Sequence, residues 1–188
     1  MRIVHLVLLV ILTQISTFAQ DVTALLGEPF NAQTTQTFIN SLDEEHEESF
    51  LPYLRTYKLD YFTSGVSIDL NSDLAVYRVS LFDSGYAFKA FKGSLPLEVQ
   101  WQQTETAIEN EIGDLEEVRS NQFVKQYTTD DYVLDFYFLD GRLYLMRCTV
   151  TPKKLKENAQ NIFKAWGIRL LPDGKPVKGN VLDSIGTM

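Results

Sequence analysis

Histidine and cysteine are the side chains best able to act as a nucleophile, a general base or a zinc ligand, and this chain has few of them. It contains two histidines, His5 and His46, and one cysteine, Cys148. A Ser-His or Cys-His pair would have to use His46, because His5 lies in an apolar leader. His46 stands between two glutamates, far from any patterned serine motif. The composition therefore argues against triad hydrolysis and against a zinc site of histidine and cysteine.

Carboxylates could supply other chemistry. Residues 69–73 resemble the start of a calcium-binding loop, but its sixth position is Leu74 instead of glycine and its twelfth is Ser80 instead of glutamate. We therefore expect a polar hairpin turn there. Paired carboxylates of the glycosidase kind stay open, because nothing in the sequence selects two of the 25 acidic residues. No phosphate-binding glycine loop is present, and the sequence predicts no catalytic residue, no metal ligand and no cofactor.

The first 19 residues have the pattern of an export signal. Arg2 is followed by an apolar run over residues 3–15 and then by a small-residue stretch that ends at Ala19. The run is shorter than the roughly 20 residues that cross a bilayer, and no cysteine stands next to Gln20 for lipid attachment. We expect residues 1–19 to be a cleaved signal peptide. The mature protein would then be exported to the periplasm or the extracellular space, without stable membrane insertion.

Size and charge narrow the class of protein further. Residues 20–171 suit a single domain with its own core, whereas residues 172–188 lack periodicity and are predicted to form a flexible tail. A formal net charge of −8 repels phosphate backbones and argues against nucleic-acid binding. A lone cysteine cannot form a disulfide within the chain, and we expect Cys148 to be buried.

Each half of the domain is predicted to place helices before antiparallel strands. In the first half, over residues 21–82, Asp21 caps a turn that stops at Gly27, and a helix follows Pro29. A three-stranded meander comes next, with alternating sets at residues 57–61, 66–70 and 75–81. In the second half, over residues 101–150, Thr104 caps a helix that ends at Gly113. Strands over residues 122–128, 132–139 and 142–150 form a second meander.

The Asp140-Gly141 pair predicts a tight hairpin, because both positions of a type I′ turn need positive φ. The resulting register places Tyr137 opposite Tyr144, and it divides the two strands into two faces. The predicted core face holds Leu134, Phe136, Phe138, Leu143 and Leu145. The predicted mixed face holds Val133, Asp135, Tyr137, Leu139, Arg142, Tyr144, Met146 and Cys148. This mixed face is either half covered by another layer or an exposed aromatic platform.

The last predicted element is an amphipathic helix over about residues 152–166. Thr151 caps it, Pro152 occupies its first turn, and Gly167 ends it. Its apolar stripe would pack on the sheet and consists of Leu155, Ala159, Ile162, Phe163 and Trp166.

These residues resemble a known family. Gly93-Ser94-Leu95-Pro96, then a helix from Thr104 to Ile112-Gly113-Asp114, then a meander, is similar to the exported bacterial beta-lactamase inhibitor protein-like domains and the related small outer-membrane assembly lipoproteins. The resemblance implies helices packed on an antiparallel sheet, singly or in tandem, and a role in binding other proteins. This chain lacks the lipid-attachment cysteine and the disulfides of those proteins, and no functional residue carries over by motif.

The sequence thus predicts an α+β fold made of two helix-plus-meander pseudo-repeats and a C-terminal helix. The favoured function is an exported, non-enzymatic binding module that recognises another protein through a sheet face or an aromatic-rich loop. The candidate contact residues are Tyr137, Tyr144, Tyr86, Phe88 and Phe91. One alternative is a small-ligand-binding or hydrolytic envelope protein, with a cleft between the halves lined by Trp101 and Trp166. Another is an inhibitor whose acidic loop, residues 43–48, attracts a basic partner.

Overall fold

The computed structural model describes residues 21–52, 54–85 and 87–165. The predicted signal peptide, the predicted tail, Tyr86 and Trp166 lie outside these residues. The described part is α+β, as predicted, with an eight-stranded antiparallel sheet and three α-helices. The helices are α1 (Gln33–Ser41), α2 (Glu105–Ile112) and α3 (Pro152–Ala165). The strands are β1 (Glu47–Leu51), β2 (Thr56–Tyr61), β3 (Val66–Leu70), β4 (Val76–Phe82), β5 (Glu116–Ser120), β6 (Val124–Thr128), β7 (Tyr132–Leu139) and β8 (Arg142–Val150).

The sheet is continuous through both halves of the chain, with the strand order β1-β2-β3-β4-β8-β7-β6-β5. Strands β1 to β4 form one meander and β5 to β8 form the other, and their last strands pair in the centre. The prediction of three strands per meander is wrong, because each meander has a fourth strand at the sheet edge. Both edge strands are exposed along almost their whole length and carry adjacent glutamates, so neither shows the apolar alternation of a half-buried strand. The predicted acidic loop is therefore shorter, because Glu47 and Glu48 belong to β1.

Several local predictions are confirmed. The Asp21 carboxylate accepts the N–H of Thr23 at 2.9 Å and caps the 3-10 turn Val22–Leu25. The Thr104 hydroxyl accepts the N–H of Ala107 at 3.3 Å at the start of α2. The Thr151 hydroxyl accepts the N–H of Lys154 at 3.3 Å at the start of α3. Asp140 and Gly141 have φ values of 52° and 71°, as a type I′ turn requires.

The predicted register of the last hairpin is wrong beyond its first two pairs. Leu139 faces Arg142 and Phe138 faces Leu143, but the register then shifts, so that Tyr137 faces Leu145 and Phe136 faces Met146. The cause is a β-bulge, in which Tyr144 is the extra residue and reverses the face of everything after it. Leu145 therefore leaves the predicted core face, while Met146 and Cys148 join the core. A similar shift at Tyr77 interrupts the predicted 75–81 alternation.

One face of the sheet packs against the helices and forms the main core. It includes Phe38 of α1 and Ile108 of α2, and Leu155 of α3 packs against it. Cys148 is completely buried there, as predicted, and its burial raises the pKa of the thiol. We call this side of the sheet the core face and the opposite side the second face. Burial of the core side chains fixes the registers that align residues across the second face.

Candidate binding site on the second face of the sheet

The strand registers place a row of polar side chains across the whole second face. Each member of this row is the cross-strand partner of the next, so all of them project from the same side of the sheet. In order from β1 to β5 the polar row is Glu47, Asp60, Ser67, Ser80, Arg147, Asp135, Gln126 and Arg119. A neighbouring row passes through Lys58, Asp69, Arg78 and Thr149 on β2, β3, β4 and β8.

Ion pairs and hydrogen bonds join the members of these rows. The Lys58 ammonium lies 2.7 Å from an Asp60 carboxylate oxygen, and an Arg78 guanidinium nitrogen lies 3.4 Å from Asp69. Arg78 also donates to the Thr149 hydroxyl at 3.2 Å. These groups are mostly buried. The second face therefore places paired charges under partial cover instead of leaving them in water.

Arg147 lies at the middle of the polar row. Its Nε donates to the Ser80 hydroxyl at 3.4 Å, and its Nη1 donates to the Tyr137 hydroxyl at 2.8 Å. Its guanidinium carbon also lies 5.0 Å from the centroid of the Tyr137 ring. The cross-strand neighbour Asp135 instead accepts a hydrogen bond from Gln126 at 2.6 Å. Arg147 is thus oriented by two neutral oxygens.

Burial leaves part of this network unsatisfied. Asp69 is 7% exposed, and its burial raises the pKa of the carboxyl despite the opposing charges of Arg78, Lys58 and Arg147. Among the described residues, Asp69 Oδ1, Asp60 Oδ1 and Ser67 Oγ are buried atoms that accept or donate no hydrogen bond. Unsatisfied buried polar atoms are uncommon in folded proteins and often mark a functional region.

An aromatic cluster lies beside the polar row on the same face. Phe82 and Leu145 are buried and are cross-strand partners, and the half-buried Tyr137 follows on β7. Phe88 stacks on Phe82 with ring centroids 3.9 Å apart and an interplanar angle of 3°. We call this group the aromatic cluster, and its members are Phe62, Phe82, Phe88, Tyr137, Tyr144 and Leu145.

The segment that follows β4 brings Phe88 into this cluster. The N–H of Lys89 donates to the Phe62 carbonyl at 2.8 Å, and the N–H of Phe91 donates to the Phe82 carbonyl at 2.8 Å. The backbone crosses so close to Gly65 that a Cβ there would collide with the main chain of Lys89 and Phe91. Gly65 also has a φ of +69°, so the crossing requires glycine at this turn.

The predicted contact residues divide into three groups. Tyr137, Tyr144 and Phe88 come together in the aromatic cluster. Phe91 is buried in the main core instead, where its carbonyl accepts a hydrogen bond from the Trp101 indole at 3.0 Å. Tyr86 lies outside the described residues. Phe62, Phe82 and Leu145 were not predicted as contact residues, and of the polar row only Asp135 was placed on the predicted mixed face. The alternation on β2, β3 and β4 could have indicated the polar side chains of those strands.

A separate cleft lies along the chain between β4 and α2. Its volume is about 470 Å³, and its lining includes Phe91, Lys92, Glu98 and Trp101. The sequence predicted a cleft between the halves lined by Trp101 and Trp166; Trp101 lines the cleft described here, and Trp166 lies outside the described residues. It shares no residue with the aromatic cluster or the polar row.

The acidic run before β2 has a structural contact. The Glu44 carboxylate oxygens accept the N–H groups of Thr63 at 2.6 Å and Ser64 at 2.9 Å. Burial raises the pKa of the Glu44 carboxyl, but these hydrogen bonds outweigh it and hold the pKa below its usual value. Glu44 therefore stabilises the turn between β2 and β3.

Within residues 21–52, 54–85 and 87–165, no helix is long and apolar enough to span a membrane. The same part of the chain places no three histidine, cysteine, aspartate or glutamate side chains where they could hold one metal ion together.

Comparison with known proteins identifies a similar fold but no family. No family model matches the sequence, and no curated protein matches it. A solved structure with a similar fold is an extracellular protein from Bacillus anthracis strain Ames that contains an SCP domain. The two chains are 10% identical, with a TM-score of 0.50 over 81% of this chain and 63% of that one. This chain therefore spans less than two thirds of the length of that protein, and the likeness concerns the fold alone.

Proposed function

We propose that this protein is an exported, non-enzymatic module that binds another protein through the second face of its sheet. The observation that carries the proposal is the position of Tyr137 and Tyr144, which are half-buried in the aromatic cluster on the second face, where Tyr137 also accepts a hydrogen bond from Arg147. Tyrosine and arginine are enriched among the residues that dominate protein–protein binding energy. The buried Phe82, Phe88 and Leu145 beneath them give the two tyrosines a rigid support.

The charged groups of this face favour recognition over catalysis. Burial raises the pKa of the Asp69 carboxyl on this face, and a raised pKa is one mark of a general acid. A general acid must reach its substrate, but Asp69 Oδ1 has almost no accessible surface and Asp69 Oδ2 is paired with Arg78. Paired, inaccessible charges of this kind favour orientation of a surface for binding.

The proposal includes two further points, which are the export of the protein and a repeat relationship between its two halves. The apolar leader that ends at Ala19 supports export to the periplasm or the extracellular space. The extracellular character of the structurally similar Bacillus anthracis protein is consistent with that location. We infer that the two halves are pseudo-repeats, because a helix and four strands occur twice in the same order. That order also fits the proposed resemblance to beta-lactamase inhibitor protein-like domains, whose members bind proteins.

The cleft near Trp101 supports a second candidate function, the binding of a small ligand. A concave site with an aromatic wall and the charged residues Lys92 and Glu98 has the usual composition of a ligand pocket. Because Trp101 lines it, an occupant would change the tryptophan fluorescence. A saturable change on adding envelope-derived small molecules would favour this function, and a flat response would count against it.

An affinity capture tests the principal proposal. Native protein is used to enrich binding proteins from the secreted and envelope fractions of its host, followed by mass spectrometry. A Tyr137→Ala/Tyr144→Ala variant tests the aromatic cluster. A Phe50→Ala variant is the matched control, because Phe50 is a 51% exposed aromatic residue that faces the opposite side of the sheet. Near-UV circular dichroism confirms that each variant is folded.

We expect one protein to be enriched by the native protein and by Phe50→Ala, but not by the double variant. Equal enrichment by all three proteins would place binding elsewhere on the molecule. Unfolding of the double variant would show that the two tyrosines serve the fold, and this would contradict the proposed contact role.

A further inference from the structure

We propose that the partner protein presents an aspartate or glutamate side chain to Arg147, which holds that carboxylate at the centre of the second face. This inference rests on the proposed function, and it adds the chemistry of the partner's contact. It also names Arg147, which the sequence patterns did not single out, as the residue that determines specificity.

The second face carries three cations in its two polar rows between β2 and β8, and only two of them have carboxylate partners among the described residues. Lys58 is paired with Asp60 at 2.7 Å and Arg78 with Asp69 at 3.4 Å. Arg147 has no carboxylate oxygen of the described chain within 4.0 Å of its guanidinium nitrogens. Its hydrogen-bond partners among the described residues are the hydroxyls of Ser80 and Tyr137.

The residue best placed to pair with Arg147 is bound elsewhere. Asp135 is the direct cross-strand partner of Arg147. Its Oδ1 atom instead accepts the Gln126 amide at 2.6 Å, and the side chain is only 8% exposed. Asp69 contributes to the electrostatics around Arg147 but is already held by Arg78. A cation under partial cover with neutral partners is the contact that an incoming carboxylate improves most.

The geometry of Arg147 also suits a carboxylate. A guanidinium has five N–H donors in a planar fork, and the two hydrogen bonds that Arg147 makes to described residues use Nε and Nη1. Nη2 and the second hydrogen of Nη1 remain available for bidentate pairing. Ser80 and the Tyr137 ring fix the plane of the fork before binding, so little side-chain entropy is lost when a partner docks.

The neighbouring charges select a monoanion. Asp69 and Asp135 flank Arg147 on two sides of the face. They would repel the second charge of a phosphate group more strongly than the single charge of a carboxylate. The adjoining aromatic cluster would contact the apolar surface around the partner's acidic residue and exclude water from the pair, which strengthens it.

The probe for this inference is a phage-displayed random dodecapeptide library, which samples acidic, basic and neutral peptides without prior choice. The library is selected on the native protein after depletion on Arg147→Met. Selected peptides and their Asp→Asn or Glu→Gln counterparts are then measured for affinity. The proteins compared are the native protein, Arg147→Met, Arg147→Lys, the Tyr137→Ala/Tyr144→Ala variant and a control, Arg55→Met. Arg55 is an exposed arginine just before β2 and belongs to neither polar row.

We expect the selected peptides to contain an aspartate or glutamate next to an apolar residue. Amidation of that acid, or Arg147→Met, should weaken binding by about 30-fold or more. Arg147→Lys keeps the charge but loses the fork, so its loss of affinity should be smaller, and Arg55→Met should bind normally. Arg147→Lys conserves the packing of the aliphatic stem. It therefore still tests the role of the guanidinium fork if Arg147→Met fails to fold.

The remaining outcomes separate this inference from the proposed function. Peptides that lack an acid, or that bind Arg147→Met as well as the native protein, overturn the inference. If those peptides still lose affinity for the Tyr137→Ala/Tyr144→Ala variant, the second face binds partners by other contacts and the proposed function stands. A selection that yields no peptide sensitive to either variant counts against both.

Discussion

Arg147 holds Tyr137 through two contacts at once. Its Nη1 donates a hydrogen bond to the Tyr137 hydroxyl at 2.8 Å, and its guanidinium carbon lies 5.0 Å from the ring centroid. The two residues are diagonal neighbours on β7 and β8, because Tyr137 faces Leu145 and Arg147 faces Asp135. This pair joins the aromatic cluster to the polar row.

The variant Tyr137→Phe tests that link, because it removes the hydroxyl and keeps the ring. We expect the free energy of unfolding to fall by about 1 kcal/mol, the usual net value of one hydrogen bond, and partner affinity to fall with it. Urea unfolding followed by circular dichroism measures the first quantity. An unchanged free energy of unfolding together with unchanged affinity would show that the hydrogen bond has no role in either.

We expect the protein to lose stability in acid when the Glu44 carboxylate is protonated. Its hydrogen bonds from Thr63 and Ser64 lower the pKa against the opposing effect of burial. A lowered folded-state pKa gives stability that is present above the usual carboxyl pKa and is lost as pH falls through the folded value. At neutral pH, Glu44→Gln should reduce the free energy of unfolding by about 1–2 kcal/mol. The difference should shrink below about pH 4, whereas the exposed control Glu45→Gln should change little.

The pKa of Lys125 shifts in the opposite direction to that of Glu44, so its contribution to stability is lost at high pH instead of low pH. Its ammonium lies 2.8 Å from Glu105, 3.2 Å from Glu109 and 3.4 Å from Glu117. The hydrogen bond to Glu105 is the largest influence, and with the other two glutamates it raises the pKa of Lys125. A raised lysine pKa gives stability that is present throughout the neutral range and is lost only as pH rises through the folded value.

Lys125→Met leaves these three glutamates without their shared cation. We expect a loss of about 1 kcal/mol at neutral pH and low salt, because the partners are substantially exposed. The loss should diminish in high salt or in acid, which screen or neutralise the glutamates. Thermal unfolding at two salt concentrations tests this, with the exposed Lys156→Met as control. A salt-independent loss would indicate a packing effect instead.

Cys148 should be chemically inert in the folded protein. It is completely buried at the centre of the sheet, between Val79 and Leu134, and burial raises the pKa of its thiol. A thiol-reactive disulfide reagent should therefore fail to label the native protein on a timescale that labels it fully in urea. Equal labelling rates in the two conditions would contradict the described packing.

Local signals account for the parts of the fold that the sequence predicted. The caps at Asp21, Thr104 and Thr151 and the turn at Asp140-Gly141 each depend on the residue itself and its immediate neighbours. Their residue types are the ones that these backbone conformations require. Such elements can therefore be recognised without knowledge of the rest of the chain.

The missed features depend on long-range or single-residue effects. Strands β1 and β5 lie at the sheet edges, where exposure removes the apolar alternation. The bulge at Tyr144 adds one residue without a sequence signature, yet it exchanges the faces of Leu145 and Met146. Alternation shows which side chains of a single strand face away from the core, but the continuity of the polar row across both meanders depends on the pairing of β4 with β8, which no local pattern encodes.

If partners bind through the aromatic cluster, loss of its two tyrosines must weaken their binding. The protein captured from the host fractions is titrated with native protein, Phe50→Ala and the Tyr137→Ala/Tyr144→Ala variant, all shown to be folded. We expect equal affinities for the first two and a loss of about 100-fold or more for the third, since loss of a hot-spot residue typically costs more than about 2 kcal/mol of binding free energy. Affinities for all three proteins that agree within experimental error would contradict it.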